Sequence, residues 1–412
     1  MKKYFLLLII PLLVLAGTFC EKHNDDPVIV KDIDLSGNQQ QMVSNDNEFS
    51  LELFRKINEN ESDNNVFISP LSVSMALGMT WNGAEGTTRE ALSGLLGFGD
   101  LDYEDVNLYY NKLISQLPEV DSRVKLSIAN SIWCRQGFEV EKHFTDLSRE
   151  YFLAQITNLD FNDPSSVGKI NNWVADHTHN RIDKIINQID ADAVMFLINA
   201  IYFKGTWKYS FDASNTANHT FYLSGGKTSS VPTMDQEAEF PLFTGEQYRA
   251  LSLPYGAGNF VMTVVLPDEG IDINSLIARL NQQEWRKIIA VADKTAGKVH
   301  VQLPKFKFSW EKTLNEVLKS MGAGIAFDPV MASFTGINTE GNLYISRVKH
   351  KSFIEVNEEG TEAAAVTSVQ VNLTSAGSSP QFIVNRPFVF IIMEKSSGAV
   401  LFAGKVLNPV EE

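Results

Sequence analysis

Residues 194–203 carry one amide, Asn199, and are otherwise apolar or aromatic. Such a run suits a β-strand covered on both faces, so the fold must bury this strand between two layers. Further strand patterns lie at 260–266, closed by the turn sequence Pro267-Asp268-Glu269-Gly270, and at 353–356 and 388–393. Helical spacing comes earlier. Leu51, Leu53, Phe54 and Ile57 form one stripe. Ser69-Pro70-Leu71-Ser72 opens another helix, with Ser69 as cap, Pro70 in the first turn and Val73, Ala76 and Leu77 facing the core. Residues 171–186 predict an amphipathic helix through Trp173, Ile182, Ile185 and Ile186. Helices early and strands late indicate an α+β class rather than a βαβ repeat. No polar gap interrupts the pattern after Phe49, so residues 49–412 are expected to form a single domain.

The N-terminus is of another kind. Lys2 and Lys3 precede an apolar run at 4–16 that is too short to span a bilayer, as in a secretory signal over residues 1–19. Gly17-Thr18-Phe19-Cys20 resembles a bacterial lipobox, with Cys20 as the lipid-bearing residue, although Phe19 stands where a small residue is usual. The acidic stretch after Cys20 resembles the surface-export tag of some Gram-negative lipoproteins. Removal of the signal takes Lys2 and Lys3 and moves the formal charge from −15 to −17. Residues 20–48, polar and poor in aromatics, are expected to be a flexible tether. An outer-membrane or cell-surface location is expected, with secretion or the periplasm as the alternative, and the lipid as the sole membrane contact.

Composition excludes several classes. An apolar content of 44% excludes a disordered chain, and two cysteines exclude a disulfide scaffold or a Cys-ligated zinc ribbon. The negative charge argues against nucleic-acid binding, which needs a basic surface. No nucleophile elbow, phosphate-binding glycine loop or His-Glu-x-x-His occurs. His177 and His179, two apart, would point to different faces of a helix, and Cys134 reads as a buried small apolar group. No catalytic residue, metal or cofactor is expected.

One segment stands out, at 358–380. Glu358-Glu359-Gly360-Thr361-Glu362-Ala363-Ala364-Ala365 continues into Val366-Thr367-Ser368-Val369-Gln370-Val371. At period two, Thr361, Ala363, Ala365, Thr367, Val369 and Val371 share one face, as in a half-buried strand. The small side chains of its first half would let it slide between strands already in place. Thr374-Ser375-Ala376-Gly377-Ser378-Ser379-Pro380 then reads as an exposed loop, the preferred kind of proteolytic site. A strand-competent stem is thus joined to a cleavable tip, although an ordinary strand and surface loop would look the same.

These residues resemble the hinge and reactive-centre loop of the serpins. Three further groups carry the resemblance along the chain: Asn65-Val66-Phe67-Ile68-Ser69-Pro70-Leu71-Ser72; Asn199-Ala200-Ile201-Tyr202-Phe203-Lys204-Gly205-Thr206-Trp207; and Leu303-Pro304-Lys305-Phe306 with Phe382-Ile383-Val384-Asn385-Arg386-Pro387-Phe388. The resemblance implies three β-sheets, eight to nine helices and an exposed loop. It also implies a suicide mechanism, in which a protease forms its acyl-enzyme with the loop, the stem inserts into the main sheet, and the protease is carried away in a covalent complex. Fifteen residues at about 3.3 Å each would carry it roughly 50 Å. Small core-facing groups at Thr361, Ala363 and Ala365, in a hinge that also includes Ala364, favour inhibition over the alternative, a non-inhibitory carrier or binding protein. A hydrolytic enzyme is a third and less supported class. The resemblance also places Ser69, Ser72, Asn199 and His350 in a polar shutter beneath the parting strands and Trp207 at the breach, where insertion begins. A monomer is expected.

Seventeen residues counted from Glu358 put the scissile bond at Thr374–Ser375, and a count back from Pro387 gives Ala376–Gly377. No Lys or Arg lies between Lys351 and Arg386, so trypsin-like proteases have nothing to read. Leu373, Thr374, Val371 and Ala376 suit elastase- or subtilisin-like serine proteases. Leu373 also suits papain-like cysteine proteases.

Overall fold

A computed structural model describes residues 29–99, 101–191, 193–290, 297–341, 343–361 and 379–410. Cys20 and residues 362–378, with Ala363, Ala364, Ala365 and the candidate bonds at Thr374, Ser375, Ala376 and Gly377, lie outside them. Elements are numbered in chain order. The main sheet has the order β11 (Phe306–Thr313), β12 (Lys349–Asn357), β13 (Gly360–Thr361), β4 (Met195–Thr206), β2 (Val124–Arg135) and β3 (Gln155–Leu159). A second sheet runs β1 (Val66–Ile68), β16 (Val400–Val406), β15 (Phe388–Glu394), β9 (Phe260–Pro267), β8 (Tyr248–Tyr255) and β7 (Leu242–Thr244). A third runs β14 (Gln381–Ile383), β10 (Lys298–Pro304), β6 (Thr228–Glu239) and β5 (Ala217–Tyr222).

Nine α-helices are found among the described residues: α1 (Gly37–Asn60), α2 (Pro70–Trp81), α3 (Gly86–Leu96), α4 (Tyr103–Gln116), α5 (Lys142–Phe152), α6 (Ser165–His177), α7 (Ile273–Arg279), α8 (Gln282–Ile289) and the single turn α9 (Asn315–Leu318). Ser69 caps α2 by accepting from the Ser72 N–H, with Pro70 in the first turn, as the sequence predicts. Nearly every residue of α2 is buried, because the helix runs inside the molecule between α1, β16 and the inner face of β4. β9, β15 and β16 are buried along their whole length and form the centre of the main core.

Two expectations are corrected. The tether does not extend to residue 48: α1 begins at Gly37, capped by Ser36 with Gln39 in a reciprocal box, and Ile33, Leu35, Met42 and Val43 are buried. The polar residues of this stretch concealed its apolar positions; Asp46 and Asn47 are themselves buried and hydrogen-bonded. The helix expected over 171–186 is also displaced, since α6 spans Ser165–His177. His179 and Asn180 adopt positive φ of 50° and 60°, which ends the helix. Ile182, Ile185 and Ile186 therefore reach the core from an irregular connection and not from a helix face.

Candidate functional site

Two neighbouring strands of the main sheet part below β13. Asn357 makes the reversal after β12 by accepting from the N–H groups of Glu359 (3.0 Å) and Gly360 (3.3 Å). The chain then runs back as β13, pairing Thr361 with Val356 on one side and with Gly205 of β4 on the other. Gly360 lies at φ 147°, and a Cβ there would fall 2.0 Å from the Gly205 carbonyl oxygen, so glycine is required by backbone approach as well as conformation. Beyond these two residues, no described strand occupies the edges of β4 and β12 that face each other.

The gap is a slot with both lips, a floor and a roof. Residues 194–201 and 343–351 form the lips, Val73, Ala76 and Leu77 of α2 the floor, and Val174, Ile182, Ile185 and Ile186 the roof around a cavity of about 160 Å³. A slot of this kind can accept one extended chain. Adjacent strands in a sheet stand about 4.8 Å apart, so seating a chain here would convert two open edges into hydrogen-bonded ladders.

Glu358 anchors the upper mouth. Its carboxylate accepts from Lys305 Nζ (2.9 Å) and Thr216 Oγ1 (2.8 Å), and its carbonyl from the Phe211 N–H (2.9 Å). Burial pushes its pKa up, but the Lys305 and Thr216 bonds outweigh this and hold the carboxyl below its usual range. Trp207 donates its N–H to the Glu359 carbonyl (2.7 Å) and its indole N–H to the Asn357 carbonyl (2.9 Å), and stacks on Tyr255 with ring centroids 4.4 Å apart. Thr361 is buried, with its hydroxyl 2.7 Å from that of Tyr255. The side chain therefore points to the core face, as the period-two reading of the stem requires.

At mid-slot the polar groups divide between the lips. Ser69, Ser72 and His350 come together: His350 Nε2 accepts from the Ser69 N–H (3.2 Å), and the Ser69 hydroxyl donates to the Leu401 carbonyl (2.8 Å) and accepts from the Ser72 N–H (3.2 Å). Asn199 stands on the opposite lip, donating to Asn130 (2.8 Å), while its buried Oδ1 has no partner among the described residues. Tyr255, Thr216, Asn357 and Asn130 were not singled out in the sequence. Lys305 is marked in the sequence only by its place in Leu303-Pro304-Lys305-Phe306.

Burial lowers the His350 pKa to about 4, so the ring is neutral at neutral pH. Its unfolded value is about 6.5. A depressed histidine stabilises the fold above the unfolded value and loses that contribution as pH falls through the folded value. We expect the wild-type protein to lose up to about 3 kcal/mol between about pH 6.5 and 4 from this group, and His350→Gln to lack that part of the slope in denaturant titrations at stepped pH.

Cys134 is a free buried thiol on β2, its pKa pushed up to about 11 by burial. His177 holds the Trp173 carbonyl at Nδ1 (2.7 Å), whereas the His179 ring lies edge-on to Tyr202.

Residues 44–409 match the sequence model of the family described as Serpin (serine protease inhibitor). An uncharacterised serpin-like protein of Thermococcus kodakarensis is 33% identical over 389 residues, covering 93% of this chain and 89% of that protein. Among solved structures, the native state of tengpin, a thermophilic serpin, superposes with a TM-score of 0.82 at 35% identity, covering 92% of this chain and 96% of the other. Human thyroxine-binding globulin superposes with the same TM-score, 0.82, at 28% identity, covering 91% and 100%.

Proposed function

The chain belongs to the serpin family, and from that premise we propose that it is an irreversible suicide inhibitor of proteases and not an enzyme. The observation that carries the proposal is the slot below Thr361, whose lips no described strand occupies and which is already begun by two residues of the segment that would fill it. A protease that cleaves the loop releases the stem from its distal anchor at β14. The stem can then continue β13 downward while its new end remains esterified to the protease, or thioesterified for a cysteine protease.

The proposed targets are elastase- or subtilisin-like serine proteases, with papain-like cysteine proteases second, because the tip offers Leu373, Thr374 and Ala376 and no basic residue. The proposed scissile bond is Thr374–Ser375, with Ala376–Gly377 as the alternative register. Thyroxine-binding globulin is named for binding thyroxine on the same fold, so a carrier without trapping activity is the second reading. We further propose export and anchoring through a lipid on Cys20; Cys20→Ala should then move the protein from the membrane to the soluble fraction.

Incubation of the protein with elastase, subtilisin and papain separates the readings. Inhibition predicts a covalent band on denaturing gels and a released C-terminal peptide beginning at Ser375 or Gly377. A carrier predicts cleavage with no covalent band for any of the three, which would end the inhibitory proposal.

A further inference from the structure

Away from the slot, one cavity gathers charges of both signs that do not pair with each other. It is open-mouthed, about 430 Å³ in volume, and lies where β8, β14 and the turn after β9 meet. Arg249 and Arg386 line it, as do Asp268 and Glu269 of the turn and Gln381 and Ile383 of β14.

Each guanidinium is set in place by neutral oxygens. Arg249 of β8 donates through Nη1 to the Gln381 carbonyl (2.8 Å), and its guanidinium lies over the Phe382 ring at 5.8 Å. Arg386 donates through Nε to the Pro267 carbonyl (2.8 Å) and through Nη1 to Asn385 Oδ1 (2.8 Å). Neither uses its Nη2 in a hydrogen bond to a described residue. Burial pushes the Arg386 pKa down and the Arg249 charge adds to this, while Glu269 and Asp268 oppose it through space without bonding to the group. A carboxylate matches a guanidinium fork, two oxygens against two N–H groups. Asp268 and Glu269 would repel a ligand that was only an anion. A ligand with an oxyanion at one end and an ammonium at the other satisfies both.

The strand edge narrows the choice further. β14 is the outermost strand of the third sheet among the described residues, and its flanking Pro380 carbonyl and Val384 N–H bond to β10. Backbone groups alternate along a strand, so Gln381 and Ile383 turn theirs to the other side, where Arg249 takes the Gln381 carbonyl. Such an edge bonds the peptide group of an added chain.

We propose that this cavity is a binding site for a short free peptide, its carboxylate held by Arg249 and Arg386 and its α-ammonium by Asp268 and Glu269. Its volume falls within the range of about 300–1,000 Å³ that small-molecule sites occupy. An occupant joins β8, β14 and the turn after β9 at the distal end of the loop. Binding there requires neither cleavage nor insertion, so the site stands apart from the inhibitory reading.

The test titrates the full chain with alanyl-alanine by isothermal calorimetry, beside three control probes. N-acetyl-alanyl-alanine lacks the ammonium, alanyl-alanine amide lacks the carboxylate, and phosphoethanolamine carries both charges without a peptide group. The dipeptide is expected to bind, each charge-blocked probe at least about tenfold more weakly, and phosphoethanolamine about fivefold more weakly. Arg249→Gln should weaken dipeptide binding by about tenfold. Because that change also removes a bond to β14, a second variant combines Asp268→Asn with Glu269→Gln, both on an exposed turn. It should reverse the preference, so that the acetylated probe binds more tightly than the dipeptide. No binding of the dipeptide, equal binding of the dipeptide and the charge-blocked probes, or an unchanged preference in the double variant would overturn the proposal. Phosphoethanolamine binding as tightly as the dipeptide would overturn the assignment of the ligand as a peptide.

Discussion

Thr361→Arg is expected to turn the protein from an inhibitor into a substrate. The Thr361 side chain is buried against Tyr255, in the layer between the main sheet and β8. An arginine there must either bury its guanidinium among Tyr255, Phe203 and Trp207, which pack together by their rings, or pull β13 out of the sheet. Burying an unpaired charge costs several kcal/mol. If about 3 kcal/mol falls on the insertion step, insertion slows by roughly a hundredfold, because each 1.4 kcal/mol is a factor of ten. The competing hydrolysis of the acyl-enzyme is untouched, and so is cleavage, since the residues a protease reads lie a dozen positions away. We expect the moles of inhibitor consumed per mole of protease silenced to rise from about one to well above ten, with loop cleavage at the wild-type rate. Thr361→Ser should behave as wild type. A covalent complex at wild-type yield from Thr361→Arg would show that the stem does not enter where β13 begins.

Cleavage of the loop should raise the thermal midpoint by at least about 10 °C. The register of β13 fixes what the stem would meet. Thr361 sits opposite Gly205 and Val356, and each further residue steps back one position along β4 and along β12. Thr367 would then fall between Asn199 and His350, offering a hydroxyl to the Asn199 Oδ1, which has no partner among the described residues, and Val371 would reach Met195 at the foot of β4. Filling about 160 Å³ of apolar slot is worth about 4 kcal/mol at roughly 24 cal/mol per Å³. The two new ladders add to this at about 1 kcal/mol per bond, less the entropy of ordering the stem. The check is calorimetry before and after nicking by a protease that is then removed. An unchanged or lower midpoint would mean that the stem stays outside, as the carrier reading requires.

The local signals were legible wherever a single stretch of chain carried its own reason. Ser69-Pro70 marks the start of α2 because a hydroxyl cap and a residue lacking an N–H satisfy the first turn. Thr361, placed inward by the period-two reading, is buried against Tyr255. Where a feature depended on partners far along the chain, the local pattern misled. The isoleucines of 182–186 have helical spacing, yet they are drawn onto the main sheet from a connection broken by His179 and Asn180. Residues 36–48 look like tether because Asp46 and Asn47 are polar, yet Asp46 meets Ser74 and Tyr109 inside the fold.

What the sequence by itself determined was the family, the α+β class and the inward side of Thr361, where the stem begins. Each depends on order and spacing along one chain. Tertiary structure decided that Glu358 is held by Lys305 and Thr216, that His350 sits with Ser69 while Asn199 faces it across a gap, and that the slot is roofed by the connection that follows α6. These arrangements join residues up to 281 positions apart. Their energies come from burial and from hydrogen bonds between elements, which no local spacing encodes.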